Sequence, residues 1–256
     1  MIRWRFASIA LLYGCAAVTL PRERGGWGVE PGALLYFCVA VPAFILFATE
    51  PERLPRVLER EVPTRRIRAL LAAPFLPGGG RGALLATLSI AVLFGWMLVT
   101  RACLAPEAPL FGDVDTVQVS GLCLYALVYV LLPSVIAAPW SSSKSVRLCA
   151  RAAPFALLAF GMLVVDAEHP RWGRPGRFAE LTFASPEALL EDVTASGVIA
   201  DRSRVHFAIL AALASLAILL NLPRMVRGVR EVLVASVAPS DDERSPRASS
   251  STIEES

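Results

Sequence analysis

The side chains able to do chemistry in this 256-residue chain are few and far apart. There are two histidines, His169 and His206, and the first closes the run Asp166-Ala167-Glu168-His169. Acids beside a histidine are the raw material of a metal or proton-transfer site. The run does not match a metallohydrolase spacing such as HExxH, so it reads as solvated charge. His206 opens a later apolar run and could approach the same rim. Two histidines also supply too few axial ligands for a multi-haem cytochrome. The five cysteines (Cys15, Cys38, Cys103, Cys123, Cys149) form no CxxC pair and read as small apolar side chains. Pro77-Gly78-Gly79-Gly80-Arg81-Gly82 has the glycines of a phosphate-cradling loop. It lacks both the Lys-Ser/Thr pair and a preceding strand, and reads as a flexible turn. No Walker A motif is present. No catalytic, cofactor-binding or metal-ligating set is assigned, and the chain does not read as an enzyme.

One dense charged feature remains. Residues 50–82 hold seven arginines (Arg53, Arg56, Arg60, Arg65, Arg66, Arg68, Arg81) against four acids. Pro51, Pro55 and Pro63 punctuate the stretch. Between them residues 56–62 have helical spacing, and residues 65–71 set arginines beside Ile67, Leu70 and Leu71. That pattern predicts one or two short amphipathic helices at a membrane interface. The plain role of such charge is to orient the chain and attract anionic lipid. The sharper role is a docking surface for a cytoplasmic partner, and Arg53, Arg56, Arg60, Arg65, Arg66 and Arg68 are its candidates. With one lysine and no basic-aromatic patch, the chain does not read as a nucleic-acid binder.

The elements that position these residues are apolar runs. The chain is 55% apolar and 18% charged, with a mean hydropathy of +0.56, and the long apolar runs are nearly free of charge. The fold class expected is all-α: a polytopic helical membrane protein with about six transmembrane helices, near residues 6–20, 33–49, 83–100, 117–138, 152–165 and 205–222. These form one domain over residues 1–235, with Pro223 marking the exit of the last span. A Ser-, Pro- and charge-rich tail, residues 236–256, reads as disordered. A short helix is expected over residues 186–193, after Ser185 as N-cap and Pro186 at the first helical position. The run at 6–20 is short, and a cleaved signal peptide is its alternative.

With the N-terminus inside, the inner segments carry 17 basic residues and the outer ones 8. The positive-inside rule therefore places both termini in the cytoplasm. The polar groups at depth are Ser89, Ser120, Tyr125 and Tyr129, which read as helix–helix contacts. The lack of ionisable groups within the spans argues against ion-coupled transport, proton pumping and intramembrane proteolysis.

This layout resembles the membrane domain of ABC-2-type exporter permeases: six spans, a basic amphipathic segment between early spans, and a long external segment before the last. The stretches EPERLPRVLEREVP, APFLPGGGRG and LLNLPRMVRGVREV are similar to bacterial membrane proteins related to such permeases. Family members carry Glu-Arg-Glu-x-Gly-Thr after the first span. Here Leu58-Glu59-Arg60-Glu61 runs into Val62-Pro63 without the Gly-Thr. The resemblance implies a half-transporter of the bacterial inner membrane that dimerises with a like or unlike membrane subunit and is powered by a separate ATPase subunit. Beside it stand a non-catalytic scaffold or assembly subunit of a larger membrane complex, and a membrane enzyme acting on lipid.

Overall fold

The computed structural model describes residues 40–52, 62–104, 114–140, 143–168 and 201–237. Among these, every regular element is helical. Residues 40–48 form α1. Arg66–Ala72 form α2, and a single 3-10 turn, Ala73–Phe75, follows it. Then come α3 (Gly79–Leu104), α4 (Val114–Ala137), α5 (Lys144–Glu168) and α6 (Asp201–Ala235). The run at 6–20, the start of the run at 33–49, Arg53, Arg56, Arg60, the helix expected at 186–193 and residues 238–256 lie outside the described residues.

Among the described residues, two helices are long and apolar enough to cross a membrane, through Ser120–Ala137 of α4 and Val205–Ala235 of α6. A third crossing is formed if the bent pair Arg66–Phe75 and Gly79–Gly95 counts as one span, its two arms meeting at 88°. The helix α4 is the centre: 72% of its span is buried, against 28% for α6. Phe44 and Ile45 of α1, Leu85 and Ile90 of α3, Tyr125, Val130 and Leu131 of α4, and Leu210 and Ala217 of α6 form the main core. A second, smaller cluster joins Val62, Ala69, Ala73 and Leu76 to Val232, near the end of α6.

Two local readings are corrected. The run of glycines is no flexible turn. Gly78 has φ +141°, a region that strains any residue with a Cβ, and it closes the bend into α3. Gly79 to Gly82 are already the first turn of that helix and are buried. A Cβ on Gly79 would lie 2.7 Å from the Glu50 carbonyl oxygen. On Gly80 it would overlap the Arg224 carbonyl, and on Gly82 the Phe47 carbonyl. The glycines are there because the backbones of α1 and α6 approach that of α3 too closely for any side chain.

The second correction concerns Pro223, which does not end the last helix. Proline removes one helical N–H and clashes with the preceding turn, at a cost of about 3 kcal/mol in an isolated helix. Nevertheless α6 continues to Ala235, because the segment beyond the proline is held by tertiary bonds to α3 and α4. Ser236, placed by the sequence at the start of the tail, also belongs to the folded end. Its N–H donates to the Val232 carbonyl at 3.0 Å, and its hydroxyl to the Leu233 carbonyl at 2.7 Å.

Candidate functional site

Most of the buried polar side chains among the described residues gather at one end of the bundle. There α1 and α4 finish, α3 and α5 begin, and α6 passes through. The helix termini explain the gathering, because each leaves unpaired carbonyls or N–H groups that need partners.

At the start of α3 the partners are carboxylates. The Gly78 N–H donates to Glu50 Oε2 at 2.8 Å, and the Gly80 N–H to Glu52 Oε2 at 3.2 Å. Two acids at a helix N-terminus also complement its macrodipole. The other oxygen of Glu52, Oε1, accepts from Arg224 Nε at 2.8 Å and from Arg224 Nη2. Arg224 Nη1 turns towards α4, 2.7 Å from both the carbonyl and the hydroxyl oxygen of Ser134 and 2.9 Å from Asn221 Oδ1.

Asn221 is fully buried. Its amide nitrogen donates to the Leu131 carbonyl at 3.0 Å and to the Ala217 carbonyl at 2.9 Å. The Ser134 hydroxyl lies 3.0 Å from the Ala48 carbonyl at the end of α1 and 3.0 Å from Asn221 Oδ1. The oxygen of Asn221 already receives Arg224, so the Ser134 proton is free for Ala48. On the far side, Arg151 of α5 donates from Nε to Thr49 Oγ1 at 2.8 Å, and Thr49 donates to the Ile45 carbonyl at 2.7 Å.

Arg81 is the most enclosed charge among the described residues. It is 1% exposed, yet it makes a 3.0 Å ion pair from Nη1 to Glu231 Oε2. Nε donates to the Pro77 carbonyl at 2.9 Å, as does Nη2. Nη1 reaches the Gly228 carbonyl at 3.3 Å, and Nη2 the Glu52 carbonyl at 3.3 Å. A planar guanidinium suits this role because it offers five donors in a fixed fork. The sequence counts Arg81 among the surface arginines of its loop. The fold buries it as a bolt between α3 and α6.

Of the candidate docking residues, Arg65, Arg66 and Arg68 are exposed at the start of α2 and along it. They take no part in the clamp that Arg81 with Glu231, and Arg224 with Glu52, form between α6 and the start of α3. Ser134, Asn221, Glu231 and the pair Glu50 and Glu52 escape a reading of the sequence. Asn221 does carry a signal: an amide inside an apolar run must find partners, and this one stands two residues before Pro-Arg.

His206 is buried beside α4, with Nε2 2.6 Å from the Tyr125 hydroxyl, and the Tyr125 ring meets that of Tyr129 edge-on at 5.9 Å; His169 and the side chains of Asp166 and Glu168 lie outside the described residues. Among the described residues no group of three His, Cys, Asp or Glu side chains is placed to hold a metal. Replacing Tyr125 with Phe is expected to cost about 1 kcal/mol, the value of one buried hydrogen bond. Thermal unfolding in detergent checks this, and an unchanged melting temperature would mean that the contact contributes nothing.

The arrangement holds five helices in one relation to each other. No protein-family model matches the chain, and no curated protein or solved structure matches it either.

Proposed function

We propose that the chain is a membrane subunit of a multicomponent export system of the bacterial inner membrane. In this reading it is a six-span, permease-like half-transporter with both termini in the cytoplasm. It pairs with a second membrane subunit, of the same or another kind, and does no chemistry itself. A separate ATPase drives it from the arginine-rich face.

One observation carries the reading. The short helix α2 enters α3 through a sharp bend, and the first turn of α3 is tied to α6 by Arg81 and, through Glu52, by Arg224. A load applied at the arginine-rich end therefore reaches the bundle directly, instead of being lost in a slack loop. The sequence layout agrees with it.

A scaffold role is the second reading. Its support is that the buried polar groups of α4 and α6 bond to one another: Asn221 to Leu131 and Ser134, and Tyr125 to His206. Copurification of the tagged full-length protein separates the two. For the transporter reading, an ATPase should copurify and be lost, at least tenfold, on combined Arg53→Glu, Arg56→Glu and Arg60→Glu substitution, since removing rim charges weakens docking by roughly 1 kcal/mol each. A stable complex with another membrane protein, indifferent to nucleotide and to these substitutions, would instead establish the scaffold.

A further inference from the structure

The helix α2 has two apolar faces, and only one of them is used. Ala69 and Ala73 are buried against the end of α6, in the cluster with Val232, Val229 and Leu233. On the opposite side Ile67 is 75% exposed, Leu70 50% and Leu71 68%. At about 100° per residue these three share one face, and Arg66 and Arg68 fall on its two flanks. Arg65 stands at the helix start and is exposed as well.

The position of α2 is fixed by two measurements. It meets the axis of α3 at 88°, so if α3 crosses a membrane, α2 runs along the membrane surface. It packs on α6 at residues 229–233, five to nine residues beyond Arg224, where α1 and α4 end. At 1.5 Å per residue that is about 8–13 Å further along α6. No acid occurs between residues 62 and 106, and the acids before that stretch are Glu59 and Glu61.

We propose that the outward face of α2 binds anionic phospholipid, with Ile67, Leu70 and Leu71 among the upper acyl chains and Arg65, Arg66 and Arg68 on headgroup phosphates. Arginine stems lie along apolar surface while their heads stay polar, which suits residues flanking such a face. A membrane crossed by α4 and α6 brings this partner to the site. The inference does not depend on the export reading, because its test reads lipid and needs no ATPase.

The test uses the full-length protein in phosphatidylcholine vesicles with and without phosphatidylglycerol. Ile67→Cys is labelled with an environment-sensitive dye in a background where the five native cysteines are alanine. Lipids brominated near the top of the acyl chain should quench the dye. Quenching should be roughly fivefold stronger from brominated phosphatidylglycerol than from brominated phosphatidylcholine, and Arg66→Gln with Arg68→Gln should abolish that preference. Absence of quenching, as for a face turned to water or covered by a protein, would overturn the proposal, and so would equal quenching by the two lipids. If the cysteine-free protein does not fold, native mass spectrometry of the wild-type chain gives the same decision. Phosphatidylglycerol retained over phosphatidylcholine, and lost in the Arg66→Gln, Arg68→Gln variant, is the result expected; equal retention refutes it.

Discussion

Arg81→Ala is expected to lower the stability of the folded bundle by about 3–5 kcal/mol, as removing one partner of a buried ion pair does. The loss does not come mainly from Glu231. That side chain is 38% exposed and can return to water. It comes from the carbonyls of Pro77 and Glu52, which lose this donor, whereas the Gly228 carbonyl keeps its place in the helix. Each buried acceptor left unpaired costs about 1–3 kcal/mol. The void left by the side chain adds to this. In a chain of this size the melting temperature should fall by about 10 °C in detergent. Arg81→Lys should recover less than half of the loss, because one ammonium cannot span acceptors on three sides. Glu231→Gln, which keeps an acceptor, should cost only about 1 kcal/mol. If Arg81→Ala melts with the wild type, the side chain is no bolt.

The glycines give a second large effect, and its sign depends on position. Gly80→Ala and Gly82→Ala each place a methyl group into a backbone carbonyl of a neighbouring helix, at Arg224 and at Phe47. Backbone cannot step aside as a flexible side chain can, so the helices must separate. Each substitution should cost about 2–3 kcal/mol, the range for overpacking a close contact. Gly95 lies in the same helix, and a methyl group there would have nothing within 4 Å. Gly95→Ala should therefore be neutral or stabilising by up to about 1 kcal/mol, the helix-propensity gain. Melting curves of the three single variants, measured together, decide the matter. Equal behaviour at Gly82 and Gly95 would show that the close approach of α1 to α3 is not a feature of the protein in its membrane.

What can be read from residues alone follows from the range of the interactions involved. Apolar runs report helices because burial acts locally and with helical period, so α4 is legible at nearly its true limits and α6 as far as its proline. The short basic helix before α3 is also legible, since Ile67, Leu70 and Leu71 repeat at helical spacing. Pro223 misleads because a propensity rule describes an isolated helix, whereas this one is held on both sides of the proline by Asn221, Arg224 and Glu231. The clamp itself is not legible. Glu52 and Arg224 are separated by 172 positions and Arg81 and Glu231 by 150. Each residue taken alone is an ordinary member of a charged boundary. Only the crossing of α6 over the start of α3 selects these pairs from among the 25 basic and 22 acidic residues.

The same separations bear on how the molecule is made. A ribosome delivers Glu52 and Arg81 long before Arg224 and Glu231, so the earlier helices form with their closing partners still unsynthesised. Until α6 arrives, Arg81 must stay near the aqueous boundary, where water serves in place of Glu231 and the Gly228 carbonyl. Insertion of the last helix is then the event that draws the guanidinium inward and fixes the earlier helices against one another. A chain that stops short of residue 224 keeps most of its apolar sequence and lacks the part that closes it.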